Sequence, residues 1–316
     1  MPVYNLTIDD ASPIILYKGD WVDSLQSDPF LSSYANGTFH STNTSGNASF
    51  LFNGTAIYLF GAFRVNHGTY SVSLDNVTTS RKGFGDPFKF QQNMFEQTGL
   101  GSGREHSVTL KGPPGGAAPY VDLDYIVVTQ GDGNATTISN SKILGDTNDA
   151  IQYHPQASWS AMASEQDGST SHQTNIFNAS VTISFHGNAV TLYGSTAPNH
   201  GLYEVSLDDA PAQTFNGSAS VTRSGEILYL ASGLTDGLHR VKMTNVDPAG
   251  QWLDFEGVAI FDWSGCCNIQ TPIPLSTSTI NQDSMTLGQT LFPSPASTPE
   301  ATLKYVDNFC TIFLEI

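Results

Sequence analysis

Residues 54–75 read GTAIYLFGAFRVNHGTYSVSLD, and residues 187–208 read GNAVTLYGSTAPNHGLYEVSLD. A constant offset of 133 carries Gly54 to Gly187, Gly61 to Gly194, His67 to His200, Tyr70 to Tyr203 and Asp75 to Asp208. In the first stretch two short runs rich in β-branched and aromatic residues, Ala56–Phe60 and Tyr70–Leu74, are bounded by Gly, Asn and Asp. Such runs suit a half-buried pleated surface, and the bounding residues supply turns. The stretch predicts two strands joined by a tight connection, written twice.

Further blocks repeat on either side. Thr98-Gly99-Leu100 followed by His106-Ser107-Val108 matches Ser232-Gly233-Leu234 followed by His239-Arg240-Val241. Tyr120–Tyr125 matches Trp252–Gly257, and Ile15, Tyr17 and Trp21 are echoed by Ile151, Tyr153 and Trp159. The period is too long for a solenoid, so a whole domain is duplicated. Ser107–Leu110 and Val241–Met243 alternate in strand fashion, and Asp122–Val128 reads as one closing strand. Helical periodicity nowhere persists beyond about ten residues. The expected fold class is therefore all-β: two tandem β-sandwich domains of jelly-roll type, residues 1–132 and 133–265. A linker falls near Gly131–Asn134, and residues 266–316 form a Pro/Ser/Thr-rich tail that reads as disordered.

The 316 residues are 39% hydrophobic and only 13% charged, with a net charge of −17. That balance excludes sequence-independent nucleic-acid binding, which needs Lys and Arg to neutralise phosphates, and docking on anionic lipid. No stretch approaches the roughly 20 apolar residues of a membrane span. Asn-x-Ser/Thr acceptors are dense, at Asn5, Asn36, Asn43, Asn47, Asn53, Asn76, Asn134, Asn178 and Asn216. They predict an extracellular or cell-surface glycoprotein. Met1-Pro2-Val3-Tyr4 lacks the basic and apolar regions of a secretory signal, so the expectation is that a signal peptide is missing from this chain. Cys266, Cys267 and Cys310 all lie in the tail, where one of the adjacent pair can bond Cys310; their spacing does not suit a metal.

Four groups of residues invite a chemical reading. Asn66-His67 and Asn199-His200 sit between predicted strands. They either hydrogen-bond sugar hydroxyls or shape a tight turn. His106 and His239 share a strand face with Val108 and Val241, which predicts partly buried, hydrogen-bonded rings. Asp122/Asp124 and Asp254/Glu256 alternate with apolar residues, so each pair is expected on one strand face. They are solvated or hydrogen-bonded structural acids, an acid/base pair for glycoside hydrolysis, or ligands of a structural calcium. The calcium reading takes Asp10, Asp124, Asp149 and Glu256, with Asp9 and Asp146 nearby. The loop Arg81-Lys82-Gly83-Phe84-Gly85-Asp86-Pro87-Phe88-Lys89 occurs in the first copy only. It gathers rare basic residues beside aromatic rings, on which sugar CH faces stack, so Arg81, Phe84 and Phe88 are the first choice of ligand surface. Tyr34, Trp252 and Trp263 are expected in or beside loops, and Trp21 and Trp159 in the core. No Gly-x-Ser-x-Gly elbow, HExxH helix or P-loop is present.

The tandem blocks, the Asn-His-Gly-x-Tyr-x-Val-Ser-Leu-Asp segments at 66–75 and 199–208, and the Pro/Ser/Thr stalk resemble a family of extracellular proteins of mushroom-forming (basidiomycete) fungi. In that family the stalk usually leads to a single membrane span, which this sequence does not contain. Over residues 4–264 the strand grammar is also similar to the galactose-binding-like jelly roll. That resemblance implies a secreted or surface protein whose two modules bind cell-wall or plant polysaccharide without catalysis. A carbohydrate-active hydrolase using the paired carboxylates and a structural or adhesive wall glycoprotein are the alternatives.

Overall fold

The computed structural model describes residues 3–24, 27–116, 118–131, 140–163, 170–208 and 210–262. The first copy contributes β1 (Tyr4–Asp9), β2 (Leu16–Lys18), β3 (Val22–Asp23), β4 (His40–Thr42), β5 (Asn47–Asn53), β6 (Ala56–Phe63), β7 (Thr69–Leu74), β8 (Val77–Lys82), β9 (Lys89–Thr98), β10 (Glu105–Lys111), β11 (Val121–Leu123) and β12 (Tyr125–Gln130). The second contributes β13 (Asn140–Gly145), β14 (Ile151–His154), β15 (Ser160–Ala163), β16 (Thr170–Thr174), β17 (Ser180–His186), β18 (Ala189–Thr196), β19 (Leu202–Leu207), β20 (Gln213–Asn216), β21 (Arg223–Ser232), β22 (Leu238–Asn245), β23 (Leu253–Phe255) and β24 (Gly257–Asp262).

The strand orders of the two copies are the same. Sheets β1-β12-β6-β9, β2-β5-β10-β7-β8 and β11-β4-β3 recur as β13-β24-β18-β21, β14-β17-β22-β19-β20 and β15-β16-β23. Every pairing between these strands is antiparallel, and among the described residues no sheet takes strands from both copies. The repeated segment becomes β6–β7 and β18–β19. Period-two alternation sets the inner faces: Tyr4, Leu6 and Ile8 of β1, Phe50 and Phe52 of β5, and Val108 and Leu110 of β10 all point inward and are buried. Trp159 is buried, and Trp21 is half-buried against the same core.

Asp122–Val128 is not one strand. The chain leaves the β4 sheet after Leu123 and enters the β6 sheet at Tyr125, so Asp124 sits at a change of sheet. Its N–H donates to the Phe60 carbonyl at 2.8 Å, which satisfies the backbone at the break. The buried clusters of the two copies run together. Tyr4 stacks on Phe261 with ring centroids 5.2 Å apart, and the Ser12 hydroxyl donates to the Ile227 carbonyl at 2.5 Å. Asp132–Asn134 of the expected linker, the sequon Asn134, Trp263, the cysteines and the tail lie outside the described residues. Among the described residues no helix is long and apolar enough to cross a membrane.

Candidate functional site

Three aspartate–histidine pairs recur in both copies. In the first, the His40 Nδ1 lies 2.6 Å from Asp10 and the Thr38 hydroxyl donates to the same carboxyl at 2.7 Å. The Tyr17 hydroxyl donates to the Asp10 carbonyl, and its ring stacks on His40 at 4.2 Å. In the second copy Asp146, His172, Thr170 and Tyr153 repeat the arrangement, with His172 2.7 Å from Asp146 and the rings 4.4 Å apart. The Asp10 pair is almost without solvent. Burial pushes the Asp10 carboxyl up and the His40 ring down to about 4, both toward their neutral forms.

The second pair is the one read above as a sugar contact. His67 is only 3% exposed; its Nε2 lies 2.8 Å from Asp122 Oδ2 and its Nδ1 3.0 Å from the Asn66 side chain. Asp122 also accepts the Ala62 N–H at 2.7 Å and the Tyr34 hydroxyl at 2.5 Å. Nε2 therefore holds the β6–β7 connection onto β11 while Nδ1 bonds within that connection, so the buried ring leaves neither nitrogen for a ligand. His200 is likewise buried, with Nδ1 on Asn199 and Nε2 3.6 Å from Asp254. Tyr34 lies in the β3–β4 connection, as expected, but its ring is buried and not open to a ligand. The third pair, His106–Asp75 at 2.6 Å and His239–Asp208 at 2.8 Å, pins a β7–β8 or β19–β20 turn to the neighbouring strand. This agrees with the hydrogen-bonded rings expected there.

The carboxylates suspected of catalysis are held by the fold. Asp122, Asp124 and Asp254 are buried and Glu256 is half-buried. Asp254 accepts the Ser195 N–H at 2.5 Å, while Glu256 accepts the Ser195 hydroxyl and the Gly225 N–H, both at 2.8 Å. Asp124 takes the Ala35 N–H on one oxygen and leaves the other buried without a partner, and burial pushes its carboxyl up to about 8. The calcium set does not assemble. Asp149 is exposed, and the true counterpart of Asp10 is Asp146: Asp10 N–H meets the Asp124 carbonyl at 3.1 Å as Asp146 N–H meets that of Glu256 at 3.0 Å. A hard cation wants six to eight oxygens, roughly, and Asp10 is already taken by a hydroxyl and an imidazole. Asp10, His40 and Asp23 come within 4.8 Å of one another, but the Arg223 guanidinium already supplies the positive charge there, holding Asp23 at 2.7 and 3.0 Å.

The loop 83–88 gives a different picture. Arg81 and Lys82 belong to β8, not to the loop, and both are exposed. Phe84 is 61% and Phe88 37% exposed. Phe88 packs edge-on against Phe30 at 5.3 Å, Phe30 stacks with Phe90 at 5.7 Å, and the Arg64 guanidinium lies 4.9, 5.4 and 5.9 Å from the Phe30, Phe88 and Phe90 rings. Arg64 also donates to the Tyr34 hydroxyl at 3.3 Å. Phe88 thus stands on a buttress of two more rings and a cation, with the exposed Phe84 beside it in the same loop. Arg64, Phe30 and Phe90 escaped the sequence reading because they converge from three separate elements. His40 and His172 escaped it too, although Thr38-Phe39-His40 and Thr170-Ser171-His172 share a Thr-x-His spacing that a finer repeat search would find. Of the sequons, Asn5, Asn43, Asn76, Asn178 and Asn216 are exposed. Asn36 is exposed, but its amide donates to Asp9 at 2.6 Å; Asn47 is half-buried, and Asn53 is half-buried with its amide 3.4 Å from the Ser232 carbonyl.

No family model matches the chain. It is 27% identical over 246 residues to an A type blood α-D-galactosamine galactosaminidase of Flavonifractor plautii, covering 77% of this chain and 21% of that enzyme. It is 34% identical over 125 residues to an A type blood N-acetyl-α-D-galactosamine deacetylase of the same organism, covering 39% of this chain and 15% of that enzyme. The chain thus spans about a fifth or less of the length of these curated relatives. Among solved structures, a family two carbohydrate esterase from Cellvibrio japonicus aligns with a TM-score of 0.29 at 13% identity, over 39% of this chain and 34% of that one. A two-domain esterase active on acetylated mannans, co-crystallized with mannopentaose, aligns with a TM-score of 0.32 at 13% identity, over 43% and 40%.

Proposed function

We propose that this chain is an extracellular tandem carbohydrate-binding protein, and that the aromatic loop end of the first sandwich holds a glycan without catalysis. The observation that carries the reading is the pair of exposed rings in one loop, Phe84 and Phe88, the second of them backed by Phe30, Phe90 and Arg64. Exposed rings cost solvation unless something covers them, and the apolar face of a sugar ring is a natural cover. The two bacterial relatives act, by their names, on amino-sugar glycans, and the shared stretch is a small part of each. That supports a carbohydrate-related role carried by an accessory region. The commitment of Asp122, Asp254 and Glu256 to backbone amides, hydroxyls and a histidine favours binding over hydrolysis, because a general acid must reach the glycosidic oxygen. The exposed sequons support display outside the cell.

The test is a glycan array with the whole chain, followed by titration of the best ligand. Phe84→Ala and Phe88→Ala are each expected to weaken binding by about tenfold, with no release of reducing sugar at any point. Unchanged affinity in both variants would remove this surface from the reading.

A further inference from the structure

The chain has 12 Lys and Arg against 29 Asp and Glu, yet four of those cations flank one loop. β7 and β8 put Lys82 opposite Thr69 and Arg81 opposite Tyr70, while β6 and β9 put Lys89 opposite Phe63. Arg64 follows Phe63, and its backbone joins Gly83 at 3.0 Å and Gly85 at 3.2 Å. Arg64, Arg81, Lys82 and Lys89 therefore surround the loop that carries Phe84 and Phe88. Among the described residues none of the four pairs with a carboxylate, whereas Arg104 and Arg223 both do. Over residues 77–95 the only acid is Asp86.

The second copy has the same frame without these groups. The bond from Gly83 N–H to the Gly68 carbonyl at 2.8 Å recurs from Gly217 to Gly201 at 2.9 Å, and Thr196 faces Arg223 as Phe63 faces Lys89. By that register Arg81 is replaced by a buried Phe215, Lys82 by Asn216 and Arg64 by Ala197. The Lys89 position holds Arg223, which is consumed by Asp23. Fold maintenance does not demand the cations, since the second copy folds the same sheets without them.

We infer that this basic rim is the specificity element of the proposed glycan surface, and that it selects polysaccharide bearing carboxylates, a uronate chain. The inference rests on the glycan-binding reading. A uronate carries its charge at the edge of the ring whose CH face stacks, so a ring on Phe84 or Phe88 points its carboxylate at the rim. Cations spread among rings, with Asp86 between them, match about one charge per sugar better than dense sulfation.

Calorimetric titration of the whole chain with polygalacturonate, its fully methyl-esterified form and dextran sulfate tests this. Polygalacturonate is expected to bind about tenfold more tightly than the ester, and to lose that advantage as salt rises well above about 0.15 M. The double variant Arg81→Ser/Lys82→Ser should weaken polygalacturonate about fivefold and leave the ester unchanged. An unaltered thermal midpoint, expected because both side chains are exposed, shows that it folds. Equal binding of acid and ester, or of polygalacturonate and dextran sulfate, overturns the uronate inference; so does a folded double variant that binds as the parent does. If acid and ester bind alike and Phe84→Ala weakens both, the glycan reading stands and only this inference falls. Binding of no glycan, here or on the array, removes both.

Discussion

His239 places Nδ1 2.8 Å from Asp208 and Nε2 2.8 Å from the Thr235 carbonyl. With an acceptor at each nitrogen, the charged ring satisfies both contacts and the neutral ring only one. Burial is the largest single influence on the ring and works against its charge, but the carbonyl and the carboxylate together outweigh it, so its pKa is raised. Asp208 is held below the usual carboxylate range, first by His239 and then by the Arg240 N–H. A raised histidine adds stability below its unfolded value and loses it as pH climbs through the folded one. A depressed aspartate adds stability above its unfolded value and loses it as pH falls through the folded one. The pair should therefore contribute most between about pH 4 and 6.5. The difference in thermal midpoint between the protein and His239→Gln is expected to peak in that window and to shrink on both sides. A difference that stays constant from acid to alkaline pH refutes the charged pairing.

At the scale of elements, Gly61 and Gly194 mark where β6 and β18 slip register against β9 and β21. Neither has a positive φ, so the requirement is space. A methyl group on Gly61 would meet the Asp122 carbonyl oxygen at 2.6 Å, and one on Gly194 the Asp254 carbonyl oxygen at 2.6 Å. Gly61→Ala and Gly194→Ala should each cost about 1–3 kcal/mol by denaturant titration. Gly237→Ala, with nothing within 4 Å, should be neutral. If Gly61→Ala is as mild as Gly237→Ala, the close approach does not matter. These glycines also mark how far the sequence could be read. Strand runs, the duplication and the expected core placement of Trp159 are local or repeated signals, and they were legible. The partner of His67 was not, because Asp122 arrives from 55 residues away and a loop Asn-His-Gly looks the same whether its ring faces solvent or a buried carboxylate. Asp122 and Asp124 alternate as in one strand, but the chain changes sheets between them, and alternation carries no mark of that. Phe84 and Phe88 were visible in their loop; the Phe30, Phe90 and Arg64 buttress exists only once three elements converge.

At the scale of the molecule, duplicated frames have been put to different uses. The position that carries Lys89 in the first copy carries Arg223 in the second, and there it clamps the copies together. Arg223 meets both oxygens of Asp23 at 2.7 and 3.0 Å, with side chains 8% and 13% exposed, and the Ser220 hydroxyl and N–H join at 2.5 and 3.1 Å. Burial works against the Asp23 charge, but Arg223 and Ser220 outweigh it and hold its carboxyl below the usual range. Beside this clamp Glu226 is buried, and desolvation pushes its carboxyl well up. With the Tyr4–Phe261 stack and the Ser12–Ile227 bond in the same contact, the two sandwiches should melt as one unit, giving a single calorimetric peak. Arg223→Ala leaves Asp23 half-enclosed without its partner. Breaking a fully buried pair from one side costs about 3–5 kcal/mol; this half-buried one should cost less, and the loss falls on the contact and not on either core. The variant should therefore show two separated transitions, and Asp23→Ala combined with Arg223→Ala should recover part of the coupling because no lone charge remains. Two well-resolved peaks in the unaltered chain would mean that the copies fold independently and that the clamp only orients them.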